Sequence, residues 1–283
     1  MENVISKASP RGGLEGAMEG AVSVIKVGGA VVEDAQQLAA LLDNFSAIPG
    51  KKILVHGGGR RATKVAAQLG IESHMVNGRR ITDSEMLSVV TMVYGGLVNK
   101  NLVAQLQAKG VNALGLTGAD MDIIRSHKRP LKKVKMEDGT EQMVDFGYVG
   151  DVDYANGERL AELLNSGVIP VVAPLTHDGE GNILNTNADT MASTVAKALA
   201  QYFDVTLIYS FEKKGVLSNP DDDDSVIPTI TRESYDKYVA DGTISGGMMP
   251  KIENAFEAVE AGVKRVIITL ATAIDGNHGT VIS

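Results

Sequence analysis

The sequence predicts an α/β protein built on a mostly parallel sheet, and three observations carry that reading. An apolar, β-branched run, Val22-Ser23-Val24-Ile25-Lys26-Val27, passes directly into Gly28-Gly29 and reads as a strand ending in a tight turn. A helical pattern follows it. A second apolar strand, Lys52-Ile53-Leu54-Val55, then runs into His56-Gly57-Gly58-Gly59. Strand, helix, strand in this order is a βαβ unit with a right-handed crossover. Both glycine clusters then fall at one carboxyl edge of the sheet, where open α/β sheets hold ligands.

Lys26 is out of place in a buried strand, because an unpaired ammonium is costly to bury. Its position makes sense if the strand end opens onto an anion. Glycines on either side of such a site let backbone N–H groups approach a phosphate. For this stretch alone, a solvated strand end with a plain glycine turn is the competing reading.

Composition narrows the function classes. The chain has 283 residues, 44% of them hydrophobic, enough for one large or two modest domains. A formal net charge of −8 argues against a nucleic-acid surface. Without cysteine there is neither a disulfide nor a thiolate metal site. By inspection, no apolar run approaches the ~20 residues of a membrane span. The lead up to Gly20, with Pro10, Gly12, Gly13 and Gly16, lacks the apolar block of a signal peptide and reads as flexible. The expectation is a soluble, cytoplasmic protein whose partners are small molecules, with no nucleic acid and no membrane.

Along the chain, Asp34 suits the cap of a helix whose Leu38, Leu41, Leu42 and Phe45 share a face, ending at Pro49-Gly50. A helical stretch follows the second glycine cluster from Arg61 to Leu69. The cluster is not GxGxxG and no acidic residue closes a second strand, which argues against a dinucleotide site. Asn77-Gly78-Arg79-Arg80-Ile81-Thr82 is a turn and a short extended piece. Thr82 and Glu85 form a capping box for a helix from about Asp83 to Lys109, interrupted by Gly95-Gly96. Val111 to Leu116 is a strand. Residues 122–149 alternate around Asp138-Gly139, the mark of an antiparallel flap beside the sheet. The basic run Lys128, Arg129, Lys132, Lys133 and Lys135 reads as its solvated face.

Glu158–Asn165 is the next helix and Val168–Val172 the next strand. In Leu184-Asn185-Thr186-Asn187-Ala188-Asp189, Asn187 suits an N-cap and Asp189 the first turn of a helix carrying Ala192, Val195, Ala196 and Leu199. Capping leaves Asn185 unexplained. Val205–Tyr209 is apolar enough for a central strand, and Asp221–Asp224 is an acidic surface loop. Gly246-Gly247-Met248-Met249-Pro250-Lys251 opens a helix with Pro250 at its first position and Ile252, Phe256 and Val259 facing inward. Lys251 there opposes the helix dipole unless an anion binds. Val266–Leu270 is a late strand, and Gly279–Ile282 a last edge strand.

Five of these motifs occur in the order and spacing of one family. They are Ile25-Lys26-Val27-Gly28-Gly29, His56-Gly57-Gly58-Gly59, Asn77-Gly78-Arg79-Arg80-Ile81-Thr82, Asn185-Thr186-Asn187-Ala188-Asp189 and Gly246-Gly247-Met248-Met249-Pro250-Lys251. From Val22 to Ile282 the chain resembles the amino acid kinase superfamily, and within it the N-acetylglutamate kinase family. The resemblance implies a three-layer αβα sandwich with an open, mostly parallel central sheet. It implies a lobe over residues 21–200 for the amino-acid substrate, with the hairpin as lid, and an ATP lobe over 201–283 on one continuous sheet. The implied reaction moves the γ-phosphoryl of MgATP to the side-chain carboxylate of N-acetyl-L-glutamate, giving an acyl phosphate in arginine biosynthesis. The Mg2+ is nucleotide-borne, with no dedicated protein ligands.

The same resemblance assigns roles. Lys26 and Lys251 flank the transferred group, and Asp189 holds both lysines. Gly28, Gly29 and Gly57 face phosphate, while Gly58, Gly59, Arg80, Asn185 and Asn187 hold the substrate. Glu212, Gly215, Gly247 and Met249 fall to the nucleotide. A homodimer paired through the Gly95-Gly96 helix is implied, with Met92, Val93, Leu97 and Val98 around the crossing. The chain departs from the family at Phe211-Glu212, where relatives carry Ser/Thr-Asp, and at Thr269-Leu270-Ala271, which replaces a more polar strand end. The acyl group stays open: acetyl is the family default, and a larger acyl such as succinyl is an alternative. Aspartate, glutamate, carbamate and uridylate kinases, or a silent metabolite sensor, are the competing readings. The Asn-Gly-x-Arg stretch argues against the other kinases, and joint retention of Lys26, Lys251 and Asp189 against the sensor.

Overall fold

The structure, a computed structural model, describes residues 20–136, 139–246 and 248–283. The expected flexible lead up to residue 19, Asp138 of the expected hairpin turn and Gly247 lie outside the described residues. The chain opens with β1 (Ala21–Val27), α1 (Gly29–Glu33), α2 (Ala35–Ala47), β2 (Lys51–His56) and α3 (Gly59–Gln68). Asp34 caps α2 as its position suggests, accepting from the backbone N–H of Gln36 at 3.0 Å and Gln37 at 2.9 Å. Leu38, Leu41, Leu42 and Phe45 are buried beneath it.

A two-strand hairpin follows, β3 (Met75–Val76) and β4 (Arg79–Arg80). Its turn residues Asn77 and Gly78 both have positive φ, 48° and 73°, which suits Asn-Gly in a tight hairpin. The helix after it begins as α4 (Ser84–Val90), passes through a π-helical segment (Thr91–Val98) and ends as α5 (Asn99–Ala108). Its cap is Asp83, which accepts from the Met86 N–H at 2.8 Å, so the expected capping box of Thr82 with Glu85 is not formed. Thr82 is instead buried, its N–H donating to Phe146 at 2.9 Å and its carbonyl accepting from Tyr148 at 2.6 Å. Contrary to the sequence reading, Ser84–Ala108 is long and apolar enough to cross a membrane by length and composition. It packs as a core helix, burying Met86, Val89, Val90, Leu102 and Leu106. Val93 and Val98 are also buried in the core and so unavailable to a second subunit, whereas Met92, Gly96 and Leu97 are exposed. Gly95 faces its own chain: a Cβ there would lie 3.5 Å from Leu175 Cδ1.

Next come β5 (Ala113–Leu116), β6 (Ile124–Lys128), β7 (Lys132–Lys135), β8 (Glu141–Val144), β9 (Gly150–Ala155), α6 (Gly157–Asn165) and β10 (Ile169–Val172). Then follow β11 (Leu175–His177), β12 (Ile183–Asn185), α7 (Ala188–Leu199), β13 (Asp204–Phe211), β14 (Thr229–Ile230) and α8 (Arg232–Ala240). The chain closes with α9 (Met248–Glu260), β15 (Arg265–Leu270) and β16 (Thr280–Ile282). The helix α9 starts two residues ahead of Pro250, which is therefore not its first residue.

One sheet runs through the molecule in the order β14-β16-β15-β13-β1-β2-β10-β5. Every neighbouring pair is parallel except β15–β16. The last strand β16 is not an edge: β14 pairs outside it, so β14 and β5 form the edges. The antiparallel hairpin β7–β8 falls within residues 122–149, where the alternation anticipates a flap, and a second sheet, β12-β11-β6-β9, draws in β11 and β12, which the sequence reading did not place as strands. Two cores sandwich the main sheet. Val22 and Val24 of β1 face the core under α6, α7 and α9, while Ile25 and Val27 face the core under α2, α3 and α5. This is the three-layer αβα arrangement.

Replacing Asp34 with alanine removes the α2 cap. The expected loss is about 1 kcal/mol in urea unfolding with an unchanged m-value, and an unchanged midpoint contradicts the cap's role.

Candidate active site

The glycine turns meet because their strands are in register: Val27 of β1 pairs with His56 of β2. The Gly57 N–H donates across to the Val27 carbonyl at 3.0 Å. A Cβ on Gly57 would stand 3.1 Å from the Gly29 nitrogen, and one on Gly58 would stand 2.8 Å from Cδ1 of Tyr94. Glycine at 57 leaves room for the close approach of the two turns, and glycine at 58 leaves room for the Tyr94 ring. His56 is fully buried beneath them. Its Nδ1 lies 2.9 Å from the Gly57 carbonyl, which only accepts, so Nδ1 carries the proton. Its Nε2 accepts from Asn99 Nδ2 at 3.1 Å, and the same amide donates to Val171 at 2.9 Å. Burial pushes the imidazole down to about 4, so it stays neutral while orienting the Gly57 peptide.

Lys26 follows Val22 and Val24 in the alternation of β1 and so points toward α7. There its ammonium pairs with Asp189 at 2.7 Å, both side chains being mostly buried. Asn187 caps α7 through its Oδ1, which accepts from the N–H of Asp189 at 2.8 Å and of Thr190 at 3.2 Å. The cap fixes where Asp189 projects. On the other side of β1, Ser210 Oγ donates to the Lys26 carbonyl at 2.8 Å. Lys26, Gly28, Gly29, Phe211, Glu212 and Lys251 line one open cleft. Asp189 does not hold both lysines: among the described residues its ion-pair partner is Lys26. The Lys251 ammonium stands over the Phe211 ring, 5.0 Å from its centre. Phe211, the departure from the family pattern, supplies this seat. Glu212 is exposed and 3.8 Å from Arg60.

Two nucleotide candidates lie elsewhere. Gly215 is buried, where a Cβ would meet Val226 Cγ1 at 2.7 Å and Thr280 Oγ1 at 2.8 Å. Its glycine answers to packing. Met249 packs half-buried against the α7–α9 core.

A second pocket shares the glycine turns and runs to the β3–β4 hairpin. Arg80 is buried in its wall, with Nη2 donating to the Gly59 carbonyl and to Thr63 Oγ1, both at 2.9 Å, and Nη1 donating to Ser73 Oγ. All these partners are neutral. Asn185, unexplained by capping, lines the same pocket and donates from Nδ2 to Thr82 Oγ1 at 3.0 Å. Gly58, Gly59 and Asn187 also line it.

Sequence reasoning missed three residues here. Arg129, read as part of a solvated face, is buried in the pocket wall. Both oxygens of Asp151 hold its guanidinium, Nη2 to Oδ1 at 2.5 Å and Nε to Oδ2 at 3.1 Å, and it stands 5.4 Å from the Phe146 ring centre. The Arg129 hydrogen bonds hold the Asp151 carboxyl below its ordinary range. Arg79 and Tyr94 also line the pocket. Arg129 directly follows β6 and Asp151 lies in the paired strand β9, so their meeting depends on a ladder that no local pattern reveals.

An open parallel sheet, two touching glycine turns and a carboxylate-anchored lysine at its carboxyl edge define an α/β phosphate-handling fold of the kinase type. The family model "Amino acid kinase family" matches residues 21–270, and the chain belongs to that family. It is 65% identical to the acetylglutamate kinase of Bacteroides thetaiotaomicron over 259 residues, 92% of this chain and 97% of the relative. It is 41% identical to the acetylglutamate kinase of Methanopyrus kandleri over 92% of this chain and 100% of the relative. Among solved structures it is similar to smu.665 of Streptococcus mutans, with TM-score 0.71 and 31% identity over 93% of this chain and 98% of that one. Giardia carbamate kinase shares the fold at 18% identity and TM-score 0.62, over 93% of this chain and 99% of that one.

The neutral His56 makes stability pH-dependent. Its folded-state value is depressed from 6.5 to about 4, so its contribution is complete above 6.5 and is lost as pH falls towards 4. Melting temperatures at pH 7.5 and 5 are expected to differ more for the parent than for His56→Gln. Equal differences contradict the assignment.

Proposed function

We propose that this chain transfers the γ-phosphoryl of MgATP to the side-chain carboxylate of N-acetyl-L-glutamate, giving N-acetylglutamyl 5-phosphate in arginine biosynthesis. The observation that carries the reading is the Lys26–Asp189 pair beside the touching glycine turns, with the Arg80 pocket on one side and the Lys251 cleft on the other. The names of the relatives agree with it.

A carboxylate oxygen attacks the γ-phosphorus. The new P–O bond forms as the bond to the β,γ-bridging oxygen breaks, and ADP departs with that electron pair. The nucleophile is already ionised, so no protein base is needed. What must be supplied is orientation and relief of charge repulsion. Lys26 and Lys251 do the latter, and Gly28, Gly29 and Gly57 present N–H groups to the phosphoryl oxygens. Asp189 holds Lys26 in place. Arg80 receives the α-carboxylate, a charge-assisted partner its neutral acceptors do not provide. Gly58, Gly59 and Asn185 hold the rest of the substrate. The 21–200 lobe then serves the amino acid and 201–283 the nucleotide, with Glu212 and the start of α9 beside it. The metal ion arrives on the nucleotide, and the site of action is the cytoplasm.

An ATP-consumption assay across N-acetylglutamate, glutamate, aspartate, carbamate and UMP tests the reading; turnover confined to one of the last four overturns it. Lys26→Ala and Lys251→Ala are expected to lower turnover with N-acetylglutamate by about 10²-fold or more while melting within a few degrees of the parent. Turnover within about threefold of the parent for both variants contradicts their roles.

We also infer a two-fold homodimer through the exposed strip Met92, Gly96 and Leu97 on the π-helical segment. Gly96 has open space where a Cβ would sit, which suits close crossing by another backbone. Light scattering is expected to give the dimer mass, and Gly96→Leu to shift it towards monomer. A monomeric parent at micromolar concentration refutes the dimer.

A further inference from the structure

Lys26, Arg60 and Lys251 line the nucleotide cleft, and so does one carboxylate, Glu212. Lys26 is answered by Asp189 at 2.7 Å, and Lys251 has its seat over the Phe211 ring. Arg60 is the cation that the proposed function leaves without a task. It lies in the first turn of α3, directly after Gly59. Gly59 lines both the cleft and the acceptor pocket, whereas Arg60 lines the cleft alone. An anion that reaches Arg60 therefore comes with the nucleotide and not with the acceptor.

The contact between Arg60 and Glu212 joins α3 to the residue that follows β13. At 3.8 Å it is longer than a hydrogen bond, and both side chains are mostly exposed. Such a pair contributes little, because water screens it and two long side chains lose freedom in making it. Among the described residues the guanidinium makes this contact and no hydrogen bond. A phosphate is a better partner, since it accepts two N–H groups of the guanidinium fork at once. The exchange is easy, because water takes the place of Arg60 at the exposed Glu212 carboxylate. The α3 dipole opposes a cation in its first turn, and a bound phosphate offsets that penalty.

We propose that Arg60 contacts the terminal phosphates of the donor nucleotide, and that Glu212 holds its guanidinium beside the cleft until the nucleotide arrives. Arg60 then joins Lys26 and Lys251 on the donor side and brings charge that Asp189 does not cancel. The inference rests on the proposed function and adds a donor-side residue to it.

The test titrates the parent and its variants with AMP and with the Mg2+ complex of the non-hydrolysable analogue AMP-PNP, without acceptor. Arg60→Ala is expected to weaken the AMP-PNP complex about 10-fold and to leave AMP binding unchanged. In turnover, the KM for MgATP is expected to rise and the KM for N-acetylglutamate to stay. Removing Arg60 in a Glu212→Gln background is expected to cost the same factor. Melting temperatures check the fold, and Arg60→Gln, which keeps an aliphatic stem, is the second variant. Unchanged AMP-PNP affinity without Arg60 overturns the inference and leaves the proposed function standing. An equal loss for AMP overturns the assignment to the terminal phosphates. A loss that vanishes in the Glu212→Gln background overturns the contact, because Arg60 then acts only by masking Glu212. A parent that neither binds AMP-PNP nor phosphorylates N-acetylglutamate overturns both readings.

Discussion

The ion pair between Lys26 and Asp189 is the interaction on which the arrangement of the site depends. A lysine at the end of a central strand is tolerable only with a partner, because desolvating a lone ammonium costs several kcal/mol. The alternation of β1 aims Lys26 at the first turn of α7, and Asn187 sets where that turn begins. The pair thus ties the sheet to the helix layer at the edge where the glycine turns open. Its partial burial matters as well: less screening leaves the lysine's field strong in the cleft.

Much of this was legible in the chain. Lys26 stood out as a charge in an apolar strand, and Asn185 as a residue that capping did not account for. It proved to be buried beside Arg80, tied to Thr82. What stayed hidden involved partners far apart in sequence. Arg129 looked like one member of a basic run because its neighbours are solvated, and only the β6–β9 ladder brings Asp151 beneath it. Thr82 looked like a cap because the local pattern fits, yet Asp83, one residue on, has a carboxylate for the same task and frees Thr82 for the interior. The place of β16 between β14 and β15 also follows from long-range pairing, which periodicity does not encode.

Charge is distributed unevenly. The chain carries a formal net charge of −8, yet lysines and arginines gather along one sheet edge. Such zoning draws anions to the cleft while the rest of the surface repels them, an effect that salt weakens. It also explains why the glycine turns need so little side-chain chemistry: the field comes from their flanks.

The continuity of the main sheet has a mechanical side. All seven residues of β1 pair with β13, and from Val22 onward they pair with β2 as well. No hinge can lie between the two halves at this level without breaking a parallel ladder on one side or the other. The spacing of Lys26, Asp189 and the glycine turns is therefore fixed when the chain folds. The arginine-bearing hairpin belongs to neither large sheet and has only two residues in each strand. The pocket therefore has one wall cast into the frame and the other mounted on a short arm.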